Sequence, residues 1–515
     1  MRRNLFFCFQ VAVIPLAFVM LAGVSSAYKL DLPSGDDRWI KLETTNFIVV
    51  GNADEKTVRK TAVNLEYLWA ILARQLDGVP PVSPVPTTVY VFDFFSDAYP
   101  LYGPFKKGKP TKSGGFFIGR QPANYIAIVE RDYRFPDQLD ILSDFLHSVI
   151  EANVPELPLW LEKGLVEYYS VFHIAEGRAH IGYRVNRHIA WLRNKPLMPL
   201  SELLAIDRNS PEFNQEDRNG IFLAESWLLT HLLLTEIQDG RAQTARYAEL
   251  LRRGVDRNQA FASAFATTYE ELEEHLKKYI RARSHHYSVV PLNSKAIRSI
   301  AVSRMTHAEV LSRLGDLLVS GLGERHDFAA EHFNAALSLD KSYGPAYGGL
   351  GLLDQMAGRS EAALAHFERA AELAPDDERI NLLLGMSLAG GLGDGASDEV
   401  GPDQLQRARV FLRRAADLRP DLVEPWAELG ATYLSAGMNC DPGIEALERA
   451  MEIQPKHPDV GINLATLYAH QGSASNVESV IARLVTAGVD ARALRRAQEI
   501  AAQMESEADL DGQSR

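Results

Sequence analysis

The chain has 515 residues, a formal net charge of −13, 46% hydrophobic and 23% charged residues. That length exceeds one compact core, so two or three domains are expected. The composition is globular, and the acidic balance excludes sequence-independent binding to nucleic acid, which needs a basic surface.

Arg2 and Arg3 precede an apolar run from Leu5 to Val24, and Ser25-Ser26-Ala27 fits a small-x-small cleavage site. Residues 1–27 therefore read as an export signal, with the mature chain starting at Tyr28 and no membrane span after cleavage. An uncleaved anchor is the alternative, because the run approaches bilayer-spanning length. Cys8 lies in this signal and Cys440 is the other cysteine. The mature chain then has neither an intrachain disulfide nor a cysteine zinc site, which suits a periplasmic or secreted protein of the bacterial envelope.

Residues 28–290 read as one α+β unit. Trp39 to Glu43 and Phe47 to Val50 read as short strands, and Asp54 to Leu76 has helical periodicity through Leu65, Leu68, Ile71 and Leu72. Thr87 to Phe92 reads as a buried strand. Gly114 to Ile118 and Tyr125 to Val129 read as a strand pair. Lys106, Lys107, Lys109 and Lys112 fall in a Gly/Pro-containing stretch and read as a solvated loop. Helices are expected over about 137–152, Phe222 to Glu236 and Tyr269 to Arg281. Asp140, Asp144, His147 and Glu151 share one face of the first of these.

Ser143-Asp144-Phe145-Leu146-His147 is followed by Trp160-Leu161-Glu162-Lys163-Gly164-Leu165-Val166-Glu167-Tyr168. The first segment has the frame of H-E-x-x-H, which places two histidines on one helix face to grip zinc. Only His147 remains. The second resembles the W-L-N-E-G-[LF]-A-E-Y element of gluzincin metallopeptidases, most of all the peptidase-MA-like domains. The resemblance implies that the strand before the motif helix is an edge strand lining a cleft. It makes the position of Lys163 the third zinc ligand, that of Ser143 the first histidine and that of Asp144 the catalytic glutamate. Glu167 matches the family's second glutamate, which is not usually a ligand. The substitutions predict an inactive domain without metal or cofactor, because an ammonium beside the site repels a dication. They also predict that Lys163 takes the vacated cation position and pairs with Asp144. The alternative is a zinc metallopeptidase with an unorthodox site, using His147, Glu151, Glu162 or Glu167.

Residues 291–305, with Pro291, Asn293 and Ser294, read as a linker. Residues 306–490 then carry about five tetratricopeptide repeats. Leu350-Gly351, Ala363, Phe367, Ala370 and Pro375 mark one copy, and Trp426, Leu429-Gly430, Tyr433, Ala450 and Pro455 mark another. Leu384-Gly385, Ala408, Leu412 and Pro420 mark a third, interrupted by the Gly/Asp-rich stretch from Gly390 to Val400. Leu314-Gly315 with Phe333, and Leu464-Ala465 with Tyr468, belong to weaker copies. Residues 491–515 read as a terminal helix followed, from about Ser506, by a disordered tail.

The fold expected is thus an α+β gluzincin-like domain followed by an all-α tetratricopeptide solenoid. In the repeat register, the concave groove carries Leu352, Gln355, Leu382, Met386, Ala431, Leu434, Ile462 and Thr466. Such a surface suits an apolar or helical peptide, so a protein or peptide partner is expected there. The other reading is that the first domain or the terminal helix already fills the groove.

Overall fold

The computed structural model describes residues 32–75, 86–93, 102, 105–106, 109–110, 115–120, 123–129, 139–154, 157–193, 195–291, 300–320, 325–390, 400–434, 439–487, 489 and 491–513. The expected export signal and the stretch 391–399 lie outside them.

Strands β1 (Ile40–Glu43), β2 (Phe47–Gly51) and β3 (Thr87–Phe92) open the α/β unit, with helix α1 (Glu55–Gln75) crossing between the parallel pair β2 and β3. The lysine-containing loop holds the two-residue strands β4 (Phe105–Lys106) and β5 (Lys109–Pro110). Next come β6 (Gly115–Arg120), β7 (Ala123–Val129), and the motif helices α2 (Leu139–Asn153) and α3 (Leu159–Ser170). β7 is not an edge strand: it lies between parallel β3 and antiparallel β6, so β6 forms the rim.

β3 and β7 are buried at every position, and alternation sends their side chains to two different cores. Val89, Val91, Ile126 and Ile128 join Leu65, Leu68 and Ile71 of α1 and Phe145 and Val149 of α2. Tyr90, Phe92, Tyr125 and Ala127 point the other way, into a core shared with the repeats.

A smaller sheet follows: β8 (Phe172–Ala175), β9 (Arg178–Ile181) and, far along the chain, β10 (Ser288–Pro291). Its hairpin turns at Glu176 and Gly177, with φ of 51° and 71°. Two consecutive positive values are what a two-residue turn between right-twisted strands requires. Helices α4 (Asn186–Leu192), α5 (Leu200–Leu203), α6 (Pro211–Asn214), α7 (Glu216–Thr235), α8 (Gly240–Arg252), α9 (Arg257–Ala264) and α10 (Tyr269–Arg281) complete this half. α10 begins with a capping box between Thr268 and Glu271.

Strands lie at both ends of the expected linker, whose residues 292–299 fall outside the described ones. Pro291 ends β10, and β11 (Val302–Arg304) pairs antiparallel with β1, putting it at the far edge of the large sheet. Met305 N–H then donates to Trp39 O at 3.0 Å, carrying the chain directly into the repeats.

Among the described residues the repeats form five helix pairs: α11–α12 (His307–Ser320, His326–Leu339), α13–α14 (Gly344–Met356, Ser360–Leu373), α15–α16 (Glu378–Leu388, Pro402–Leu418), α17–α18 (Val423–Ala431, Asp441–Ile453) and α19–α20 (Pro458–His470, Ala474–Ala487). The first four pairs each close on a glycine. A Cβ on Gly315, Gly351, Gly385 or Gly430 would meet Phe333, Phe367, Leu412 or Leu447 of the second helix at 2.7, 2.6, 2.6 or 2.3 Å. The large side chain fills the space that glycine leaves, which is how such pairs stack. α21 (Ala491–Gln513) packs on α19 and α20 and caps the stack. It continues through the stretch expected as a disordered tail. No helix among the described residues is long and apolar enough to cross a membrane.

The solenoid is docked on the sheet. The Tyr90 hydroxyl donates to Arg313 O at 2.6 Å, and His307 Nε2 lies 2.9 Å from Pro33 O. The Tyr102 hydroxyl lies 2.8 Å from His332 Nε2, whose Nδ1 is 2.7 Å from Phe328 O. At the distal end Lys456 Nζ donates to Asn153 O, at the C-terminus of α2, at 2.5 Å.

Candidate functional site

The motif residues meet where α2 passes α3. Leu159, Trp160 and Leu161 are buried and hold α3 in place. Gly164 lets α3 approach α7: a Cβ there would stand 2.0 Å from Thr230 Oγ1 and 2.5 Å from Ser226 O. This crossing aims the first turn of α3 at His147.

Glu162 is the centre of the cluster. His147 Nε2 lies 2.8 Å and Lys163 Nζ 3.1 Å from its Oε1, and Arg208 donates to its Oε2 at 2.9 Å. The contacts at Oε1 are ionic rather than well-directed hydrogen bonds. His147 Nδ1 and Arg208 also reach toward Glu151, at 3.5 and 3.9 Å. Burial pushes the Glu162 carboxyl up, but the His147 ring and the Lys163 ammonium outweigh it and hold it at about 2. Glu162 is therefore a carboxylate at any physiological pH, saturated with positive charge.

Lys163 was expected against Asp144. It pairs instead with Glu162 and lies over the Phe213 ring, while Asp144 is exposed and Ser143 half-buried. The acidic face read from the sequence divides accordingly: His147 and Glu151 join the cluster and Asp144 turns to solvent. Glu167 points elsewhere, with its Oε2 2.9 Å from buried His188 Nε2 and 3.6 Å from Arg187. The residues present do not fit a zinc ion. One imidazole is available, and both oxygens of Glu162 already face cations that would repel a dication. Beside this cluster opens a cleft of about 710 Å³, bounded by Glu151, Leu157, Glu162, Ile206, Arg208 and Arg257.

Two participants escaped the sequence reading. Arg208 comes from a loop 46 residues past Glu162, and no local pattern links them. Glu225, on α7, accepts from Met198 N–H at 3.1 Å beside a small pocket of about 80 Å³. Burial pushes its carboxyl up to about 7, against the pull of that hydrogen bond. Its proton is thus held more tightly in the folded chain than in the unfolded one. Stability falls as pH rises from about 4.5, where the unfolded chain ionises, to about 7. Glu225→Gln is expected to flatten this loss and raise stability by about 2 kcal/mol at pH 8, with little gain at pH 4. Urea melts at the two pH values check it, and an equal change at both would contradict it.

The expected groove residues divide in two. Leu352, Leu382 and Met386 are 8, 6 and 7% exposed and belong to the core shared with the sheet. Leu382 borders Pro86, at the start of β3. Gln355, Ala431, Leu434, Ile462 and Thr466 remain partly exposed. Of the three buried positions, Leu382 is the one placed beside the α/β unit, through Pro86. The terminal helix sits on the last pair, at the end of the stack.

Comparison with protein-family models finds no match, and neither does comparison with curated proteins. Solved structures show similarity through the repeats. YrrB, described as a TPR protein with an unusual peptide-binding site, is 21% identical, with a TM-score of 0.30 over 38% of this chain and 89% of its own. MamA is 18% identical, with a TM-score of 0.29 over 35% of this chain and 91% of its own. TTC0263, a TPR protein of Thermus thermophilus, is 21% identical, with a TM-score of 0.27 over 38% and 98%.

Proposed function

We propose that this protein is a non-catalytic binding scaffold of the bacterial envelope. Its α/β unit is a gluzincin-like domain that has lost its metal, and its repeats capture a protein or peptide on the distal concave face. The observation that carries this reading is the division of the groove. Three apolar positions are buried, Leu382 beside Pro86 among them, whereas Leu434 and Ile462 keep accessible surface on a stack that ends in a capping helix. The charge-saturated Glu162 supports the loss of catalysis, since no group there is poised to activate water. On this reading the chain acts after removal of residues 1–27.

Selection of peptides from a displayed library on the full mature chain tests it. Enriched peptides are expected to be apolar. They should lose at least tenfold in affinity with Leu434→Glu or Ile462→Glu but little in moderate salt, because apolar burial is poorly screened. Peptides that bind both variants as well as the parent would overturn the groove assignment. One zinc per chain after purification without chelators, lost with His147→Ala but kept with His173→Gln, would favour the metallopeptidase alternative instead.

A further inference from the structure

The outer face of the small sheet carries a row of side chains that the groove and the cleft do not use. His173 on β8 is the direct antiparallel partner of His180 on β9, and His180 is in turn opposite Val289 on β10. The inward neighbours Phe172, Ala179 and Val290 are buried, so alternation turns both histidines outward. His173 is exposed and His180 partly so. Their ring centres are 6.3 Å apart at 72°.

We propose that His173 and His180 form a binding site for one divalent transition-metal ion that favours imidazole, Cu2+ ahead of Zn2+. Three features carry it. The two rings project from facing positions of neighbouring strands, where side chains lie close enough to interact. A metal–imidazole bond of about 2.0–2.1 Å puts two ring centres sharing an ion roughly 5 Å apart at a tetrahedral angle. A modest rotation of the exposed His173 side chain closes that gap. The second feature is orientation. His180 Nδ1 lies 3.0 Å from the Tyr183 hydroxyl. With Nδ1–H donating to that oxygen, Nε2 keeps its lone pair for a metal, which is how ligating histidines are commonly held.

The third feature is support. The Tyr287 ring stacks on His180 at 5.1 Å and on Tyr183 at 4.9 Å, and the Tyr183 ring also lies 6.4 Å from His173. An aromatic wall therefore fixes one ligand while the other is free to swing. Two protein ligands leave water in the remaining positions, so the site is open and its affinity moderate. The order of preference follows the general affinity sequence for nitrogen ligands, in which Cu2+ leads.

Titration of the untagged full chain with Cu2+, followed by calorimetry and electron paramagnetic resonance, tests the site. One ion per chain with hyperfine coupling from two nitrogens is expected. His173→Gln and His180→Gln should each weaken binding at least tenfold, and both are surface changes that leave the sheet's buried face intact. Tyr183→Phe should weaken it a fewfold by freeing the His180 ring. Binding that survives both histidine variants unchanged, or no uptake at all by the parent, would overturn the proposal.

Discussion

Gly164→Ala is expected to destabilise the α/β unit by about 3 kcal/mol, although local propensity argues the opposite. In an exposed helix interior alanine is better than glycine by about 1 kcal/mol. Here the added carbon would lie 2.0 Å from Thr230 Oγ1 and 2.5 Å from Ser226 O. The second contact is backbone, so α3 and α7 must move apart, and overpacking of that kind costs about 1–3 kcal/mol or more. Thr230→Ala should restore only part of the loss, because Ser226 O remains. Gly348→Ala is the control: its Cβ would meet only Ile380 Cγ1, at 3.6 Å, so the propensity gain should show. Urea midpoints of the variants decide the matter. A Gly164→Ala protein as stable as the parent would mean that the close crossing is not needed. Moving α3 would also displace Glu162 and Lys163, so the same change should alter the charge cluster.

What the sequence disclosed depends on the range of each interaction. The repeats were legible because glycine and its filler sit one helix apart, as in Gly351 with Phe367, and recur. The strand Thr87 to Phe92 was legible as buried, but not what buries each face. Tyr90 and Tyr125 face Arg313 and Arg379 across more than 200 residues, and nothing near the tyrosines announces that partner. β11 is three residues long, too short for alternation to mark it, so its segment read as a linker. Beside the cleft, the motif frame brought α2 and α3 together and put His147 in the cluster. The counter-ion of Lys163 was not legible. The frame pointed at Asp144, whereas Glu162 sits one residue before the lysine and draws Arg208 from a distant loop. That the first domain could reach the groove was one of two readings open in the sequence; that Pro86 is what stands beside Leu382 was not legible.

Beneath the docked sheet, the repeats are tied to one another by a buried ion pair. Arg379 on α15 donates to Asp316 on α11 at 2.7 and 3.2 Å, with Asp316 only 7% exposed in its side chain. Burial works against the Arg379 cation, yet Asp316 and Tyr125 hold its pKa well above the ordinary arginine value. The pair joins the first and third helix pairs, and Tyr125 of β7 is close enough to act on the Arg379 charge. Arg379→Leu is expected to cost about 3–5 kcal/mol, because it strands a buried carboxylate. Asp316→Leu with Arg379→Leu should regain much of that loss, since a buried pair replaced by apolar groups is often neutral. Hydrogen exchange gives the location. The single variant should lose protection in β3, β7 and α11 while α19 and α20 keep theirs, because each repeat leans mainly on its neighbours. Leu382, freed from Pro86, would then join Leu434 and Ile462 as accessible apolar surface, and the peptides enriched on the parent should bind the single variant at additional positions. Unchanged stability, or a double variant as weak as the single one, would show that the pair contributes nothing to the packing of the repeats.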